Sequence, residues 1–115
     1  MSERITAIAR LRAKAGREAE MREQARTMVG PSLAEPGCLS YRNYVDPEDP
    51  GVLVVVEEWE SRAAFDAHLA SPHLARSLDR TAELLAGPPE LRVLTDVPEP
   101  TAQVTSSGPV NAGGV

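Results

Sequence analysis

The sequence predicts one α+β domain, a β-α-β-β-α-α-β chain folded into an antiparallel sheet with helices packed on it. Three observations carry this. Short runs at 4–13, 38–45, 52–59 and 90–97 have strand character, through period-two alternation or Val-rich composition. Segments at 17–29, 62–70 and 72–85 carry apolar residues at helical spacing. Gly-Pro and Asp-Pro clusters punctuate the boundaries between them.

In the first strand, 4–13, Ile5, Ala7, Ala9 and Leu11 share one face, and Thr6, Arg10 and Arg12 take the other with Ile8 among them. After Gly16 comes a helix on which Met21, Ala25, Met28 and Val29 line one side, and Gly30-Pro31 weakens or ends it. EPG at 35–37 is a turn into CLSYRNYV, where alternation puts Leu39, Tyr41, Asn43 and Val45 together. DPEDPG at 46–51 is a concentrated turn signal, so the strands on either side form a hairpin. The second of them, 52–59, opens with Val52-Leu53-Val54-Val55-Val56, apolar on both sides and therefore expected to be covered on both. Ser61 caps a short helix, 62–70, and Ser71 caps the next, with Pro72 at the first helical position, where its missing N–H costs nothing. Leu74, Leu78, Ala82 and Leu85 line that helix, which ends near Gly87-Pro88, and ELRVLTDV, 90–97, is the last strand. Residues 1–97 thus form the domain, and 98–115, rich in Pro, Gly, Ser and Thr, read as a disordered tail.

This order is the split βαβ, ferredoxin-like plan with its second helix broken at Ser71-Pro72. Helices can cover only one face of the sheet. The other, apolar at 52–56, calls for a partner, and a homodimer packed sheet to sheet is the simplest one. A small-molecule cavity then lies between helices and sheet.

Composition narrows the function. Of 115 residues 42% are hydrophobic and 25% charged, with a net charge of -5, which speaks against nucleic acid or an anionic membrane as partner. No apolar run spans a bilayer, and the start has the alternation of a strand rather than a signal peptide, so a cytoplasmic location is expected. One cysteine, Cys38, leaves no intrachain disulfide. There is no phosphate loop, dinucleotide fingerprint or nucleophile elbow.

The two histidines, His68 and His73, are the natural proton carriers. His68 shares a helix face with Phe65 and Leu69 and points inward, either as a pocket base or as a histidine bonded to a backbone carbonyl. His68 lies near a helix C-terminus, where a positive charge is favoured, and His73 at a helix start, where it is not. Five apart across a helix break and without a nearby third ligand, they are not expected to hold a metal. Trp59 is a core residue or an aromatic wall for a flat ligand, and Tyr41 and Asn43 share a strand face as hydrogen-bonders. Glu57 and Glu58, adjacent on a strand, point to opposite faces and form no pair.

These segments resemble a family. EPGCLSY (35–41), the DPEDPG turn, VVVEEWES (54–61) and AFDAHLASPHL (64–74) are similar to the antibiotic biosynthesis monooxygenase domain family, across about residues 4–97. The resemblance implies a dimeric α+β barrel and a pocket between helices and sheet. It also implies O2 chemistry on quinols or polycyclic phenols without flavin, haem or metal, since a deprotonated phenol can reduce O2 directly. On that reading His68 is the base or anion partner, Asn43 and Tyr41 bond the ligand, Trp59 stacks on it, and Phe65, His73 and Arg10 complete the binding set. Haem-degrading relatives carry a tryptophan at the position of His68 and a histidine in the following helix. Here that helix reads LARSLDRTAELL, which disfavours haem degradation. The alternatives are a non-redox isomerase or detoxifying enzyme with His68 as base, and a ligand-binding dimer without catalysis.

Overall fold

A computed structural model describes residues 3–98. The expected tail lies outside them, apart from Pro98. The elements are β1 (Ile5–Arg12), α1 (Glu18–Arg26), α2 (Val29–Leu33), β2 (Cys38–Asp46), β3 (Asp49–Trp59), α3 (Arg62–Leu69), α4 (Pro72–Ala82) and β4 (Glu90–Thr95). The sheet order is β2-β3-β1-β4 with every neighbour antiparallel, the ferredoxin-like arrangement read from the sequence. Both serine caps form: Ser61 Oγ accepts from the Ala64 N–H at 3.1 Å and Ser71 Oγ from the Leu74 N–H at 3.3 Å.

Four details depart from the periodicity. The first helix breaks at Thr27–Met28 rather than at Gly30-Pro31, with the Thr27 hydroxyl donating to the Gln24 carbonyl at 2.6 Å. Pro31 then falls in the first turn of α2, where a missing N–H loses no helical bond. The DPEDPG turn shrinks to Pro47-Glu48, because Asp46 pairs with Asp49, and Asp46 Oδ1 accepts from the Glu48 N–H at 2.9 Å. The register skips between Cys38 and Ser40, a bulge that turns Leu39 outward to 48% exposure instead of in with Tyr41, and sets Cys38 opposite Trp59. The inward helix faces are also rotated. Helix α3 buries Phe65 and His68 and leaves Leu69 at 45% exposure, and α4 buries Ser77 and Thr81 and leaves Leu78 at 48%. Successive helix residues lie about 100° apart, so a helix centred on one residue puts the next on its flank.

All helices cover the face carrying Ile5, Ala7, Leu53, Val55 and Trp59. Two apolar clusters form there. One is built on Met21, Met28, Tyr41, Leu53, Val55 and Leu85, the other on Ile5, Ala7, Trp59 and Phe65, and Cys38 packs on both. Strand alternation puts Glu57 between Val55 and Trp59, at the junction of the two clusters. The opposite face bears half-buried Ile8, Val54 and Val56, with Tyr44 and Leu94 exposed, and carries no helix among the described residues.

The turn before β2 depends on Gly37. Its φ is +86°, and a Cβ there would come within 2.6 Å of the Ala64 Cβ. Gly16, at φ +84°, has nothing within 4 Å. Gly16→Ala should therefore cost only the backbone strain of a left-handed alanine, about 1–2 kcal/mol. Gly37→Ala should cost clearly more in urea unfolding, and equal losses would show that the approach to α3 relaxes freely.

Candidate functional site

Glu57 is the centre of the site. It follows Leu53 and Val55 on the inward face of β3 and is only 6% exposed. Its Oε1 accepts from the Trp59 indole N–H at 3.0 Å, a bond between side chains two apart on the same strand face. Helix α3 brings His68 over the same carboxylate, with Nε2 3.6 Å from Glu57 Oε1. The His68 ring lies 4.7 Å from the Trp59 ring, tilted by 35°, and meets the Tyr41 ring edge-on at 5.9 Å.

The far side of His68 is held by a residue the sequence reading passed over. Glu35, in the turn after α2, has Oε2 2.7 Å from His68 Nδ1 and 2.8 Å from His73 Nε2. With Glu35 ionised, His68 Nδ1–H donates to it and Nε2 is left facing Glu57. Ser71 joins the two histidine-bearing helices: its hydroxyl donates to the His68 carbonyl at 2.7 Å while capping α4. The order is thus Glu57, His68, Glu35, His73, running from buried carboxylate to a histidine with 23% of its side chain exposed.

Burial pushes the Glu57 carboxyl above its ordinary value of 4.5; the Trp59 hydrogen bond and the charge of His68 oppose the shift, and Glu35 adds to it. Burial, reinforced by Glu57, also raises the Tyr41 phenol and keeps it a neutral donor. The Cys38 thiol is pushed up to about 11 by burial and by the charges of Glu35 and Glu57, so it stays protonated.

Glu57 and Tyr41 face a cavity of about 110 Å³ between α1, α4 and the sheet, otherwise lined mainly by apolar side chains such as Met21, Met28, Leu53 and Val55. Ser77 and Thr81 add hydroxyls from α4, and half-exposed Leu78 lines it too.

Of the residues singled out from sequence, Tyr41 lines this cavity, and His68 stands behind Glu57. Trp59 is fully buried and is not a cavity wall: it stacks on His68 and bonds Glu57. Phe65 is 1% exposed behind Trp59, with ring centres 6.4 Å apart. Asn43 lines a separate groove with Arg22, Arg26 and Val45, and its buried Oδ1 has no hydrogen-bond partner among the described residues. Arg10 is on the opposite face, paired with Val54, because odd and even positions of a strand diverge. His73 is bonded to the site through Glu35, and its ring centre lies 6.1 Å from that of His68. Glu57 had a signal in the sequence, an acid inside an otherwise apolar alternation; Glu35 had none beyond its place in a turn.

Fold and site together define a ferredoxin-like α+β domain with a partly open, largely apolar cavity beside a buried carboxyl and histidine. The chain belongs to the antibiotic biosynthesis monooxygenase family, whose sequence profile matches residues 4–80. It is 34% identical over 102 residues to Rv0793 of Mycobacterium tuberculosis, a protein with a provisional monooxygenase name, covering 89% of this chain and all of that one. The solved structure of Rv0793 superposes with a TM-score of 0.78, over 84% of this chain and 97% of that one. Escherichia coli K12 YgiN, named a "Probable quinol monooxygenase", is 35% identical over 81 residues, 61% of this chain and 77% of that one. An uncharacterised Synechocystis protein, sll1783, is 30% identical over 89 residues; the match covers 77% of this chain and 60% of that relative's length. No helix among the described residues is long and apolar enough to cross a membrane.

The raised Glu57 carboxyl has a consequence for stability. The fold prefers its neutral form, so this group's stabilising effect is complete below the ordinary value and fades as pH rises through the raised one. Glu57→Gln keeps an acceptor for Trp59 and cannot ionise. Its stability relative to wild type, measured by urea unfolding, should rise between pH 4 and 8, whereas a flat or falling difference would mean that Trp59 and His68 hold the anion.

Proposed function

We propose that this protein is a monooxygenase that oxidises a quinol or related phenol with O2 and without a bound cofactor. The observation that carries the reading is the Glu57 carboxyl, raised by burial, facing an apolar cavity and backed by His68. A base is most effective when its pKa approaches the working pH, and burial moves Glu57 that way. Tyr41, a neutral phenol on the same wall, donates to the oxygen on which charge develops. At about 110 Å³ and open on one side, the cavity takes in part of a single ring with the rest at its mouth, which disfavours a polycyclic substrate.

For hydroquinone the reaction balances as quinol plus O2 giving hydroxybenzoquinone plus water. Glu57 takes a phenolic proton, and the electron-rich anion reduces O2. A ring carbon–oxygen bond forms, the O–O bond breaks, and the second oxygen leaves as water. The proton on Glu57 passes to His68 Nε2 as the Nδ1 proton moves toward Glu35, with His73 at the solvent end. The name of the relative YgiN supports the substrate class.

Oxygen consumption with a panel of one-ring quinols tests the reading. Uptake should exceed autoxidation, and Glu57→Gln should lower kcat by about 10²–10⁴-fold with a smaller effect on KM. Uptake no faster than autoxidation across the panel, or full activity in Glu57→Gln, would overturn it.

The proposal includes a homodimer formed through the open sheet face, where half-buried Ile8, Val54 and Val56 form an apolar centre beside exposed Tyr44 and Leu94. Light scattering should give about twice the chain mass of 12.3 kDa, and Val54→Asp should return it to the monomer value. A wild-type monomer at micromolar concentration would refute this.

A further inference from the structure

We propose that Glu35, His68 and His73 form a binding site for a divalent transition-metal ion of the Zn²⁺ type, on the side of His68 turned away from Glu57. The proposal does not rest on the oxygenase reading, and because an ion on His68 Nδ1 takes the place of the proton there, the proton path toward Glu35 belongs to the metal-free protein. Sequence spacing left the two histidines without a third ligand, and the fold supplies one. Their ligand atoms and a Glu35 carboxylate oxygen all lie within 4.8 Å of one another. Three segments contribute, the turn after α2, the last turn of α3 and the first turn of α4.

The donor set decides the class of ion. Two imidazole nitrogens with one carboxylate suit Zn²⁺, Fe²⁺ or Co²⁺, whereas Mg²⁺ and Ca²⁺ prefer all-oxygen shells. The rear of His68 supplies a second, independent sign. Nδ1 is the ligand atom, and with an ion in place of its proton the ring hydrogen sits on Nε2, which points toward Glu57 Oε1 3.6 Å away, one small shift from a hydrogen bond. A metal-bound histidine characteristically turns its other ring N–H to a carboxylate, which fixes the tautomer and strengthens the ligand.

The ligands close in on binding. The two histidine nitrogens stand up to 4.8 Å apart, whereas ligands about 2.0–2.1 Å from a tetrahedral ion lie about 3.3 Å apart. Partly exposed His73 must therefore swing toward His68 by on the order of 1.5 Å, while Glu35 Oε2 withdraws by roughly half an ångström. The backbone around it is held: the Glu60 N–H donates to the Gly37 carbonyl at 2.8 Å, and Ser71 ties α3 to α4 at the His68 carbonyl. Side-chain exposures of 2% for His68, 13% for Glu35 and 23% for His73 enclose the site and leave access on the His73 side. None of the three lines the cavity. Three protein ligands leave a fourth position for water.

The test uses the full, untagged chain, stripped with chelator and titrated calorimetrically with Zn²⁺ at pH 7.5, then with Co²⁺ while visible absorption is followed. We expect one Zn²⁺ per chain with a Kd of about 1 μM or tighter, a raised Tm, and Co²⁺ bands between 500 and 650 nm typical of a four- or five-coordinate site, all on the order of magnitude set by such donor sets. Glu35→Gln and His73→Ala should each weaken binding at least ~10-fold, and Glu57→Gln by about 10-fold through the His68 ring. His73 is partly exposed, so His73→Ala keeps the test decisive if variants of buried His68 fail to fold. Zn²⁺ binding weaker than about 100 μM, or binding unchanged in both Glu35→Gln and His73→Ala, would overturn the proposal.

Discussion

A single buried carboxylate sets the terms for the centre of this protein. Glu57 lies in an apolar alternation, and a carboxyl taken out of water costs several kcal/mol unless it is neutralised or hydrogen-bonded. The structure does both. The Trp59 indole donates to it, His68 stands across from it, and burial favours its protonated form. Each partner then has needs of its own. Trp59 must remain in the inward row of β3, and His68 must stay on the face of α3 that meets the sheet. His68 also needs a partner for its second nitrogen, which Glu35 provides.

That requirement propagates into the local backbone. Glu35 reaches His68 only because the turn at 35–38 closes tightly, with the Cys38 N–H donating to the Glu35 carbonyl at 3.2 Å. Gly37 in its left-handed conformation lets this turn press against Ala64 of α3. The bulge at Leu39 then returns β2 to register, so that Tyr41 faces inward beside the histidine. Ser71 completes the frame by capping α4 while holding the last turn of α3. Cap, bulge and glycine turn are ordinary devices, and here they converge on the orientation of one imidazole.

The cavity follows from the same arrangement. Glu57 separates two apolar clusters, and the cavity lies on its methionine-rich side. Met21 and Met28 are flexible thioethers, which lets that wall change shape. Ser77 and Thr81, buried in the helix face where leucines were expected, make the α4 wall more polar than periodicity implied. A small rotation of the helix adds a hydroxyl row beside the expected one, with Leu74 and Leu85 still packed on the core and Leu78 moved to the cavity edge.

The amino-acid sequence by itself determined the element order, the antiparallel sheet, both serine caps, the family, and the inward face of β3 on which Glu57 and Trp59 sit. These depend on period-two and helical spacing or on contacts three residues long, all of which a linear pattern records. The strand bulge, the rotation of α3 and α4 and the depth of Trp59 were decided only by the fold, since each depends on which neighbour an element packs against. The same holds for Glu35. It bonds histidines 33 and 38 positions away, and a contact across such a loop is set by how three segments close in space, which no spacing within any one of them encodes.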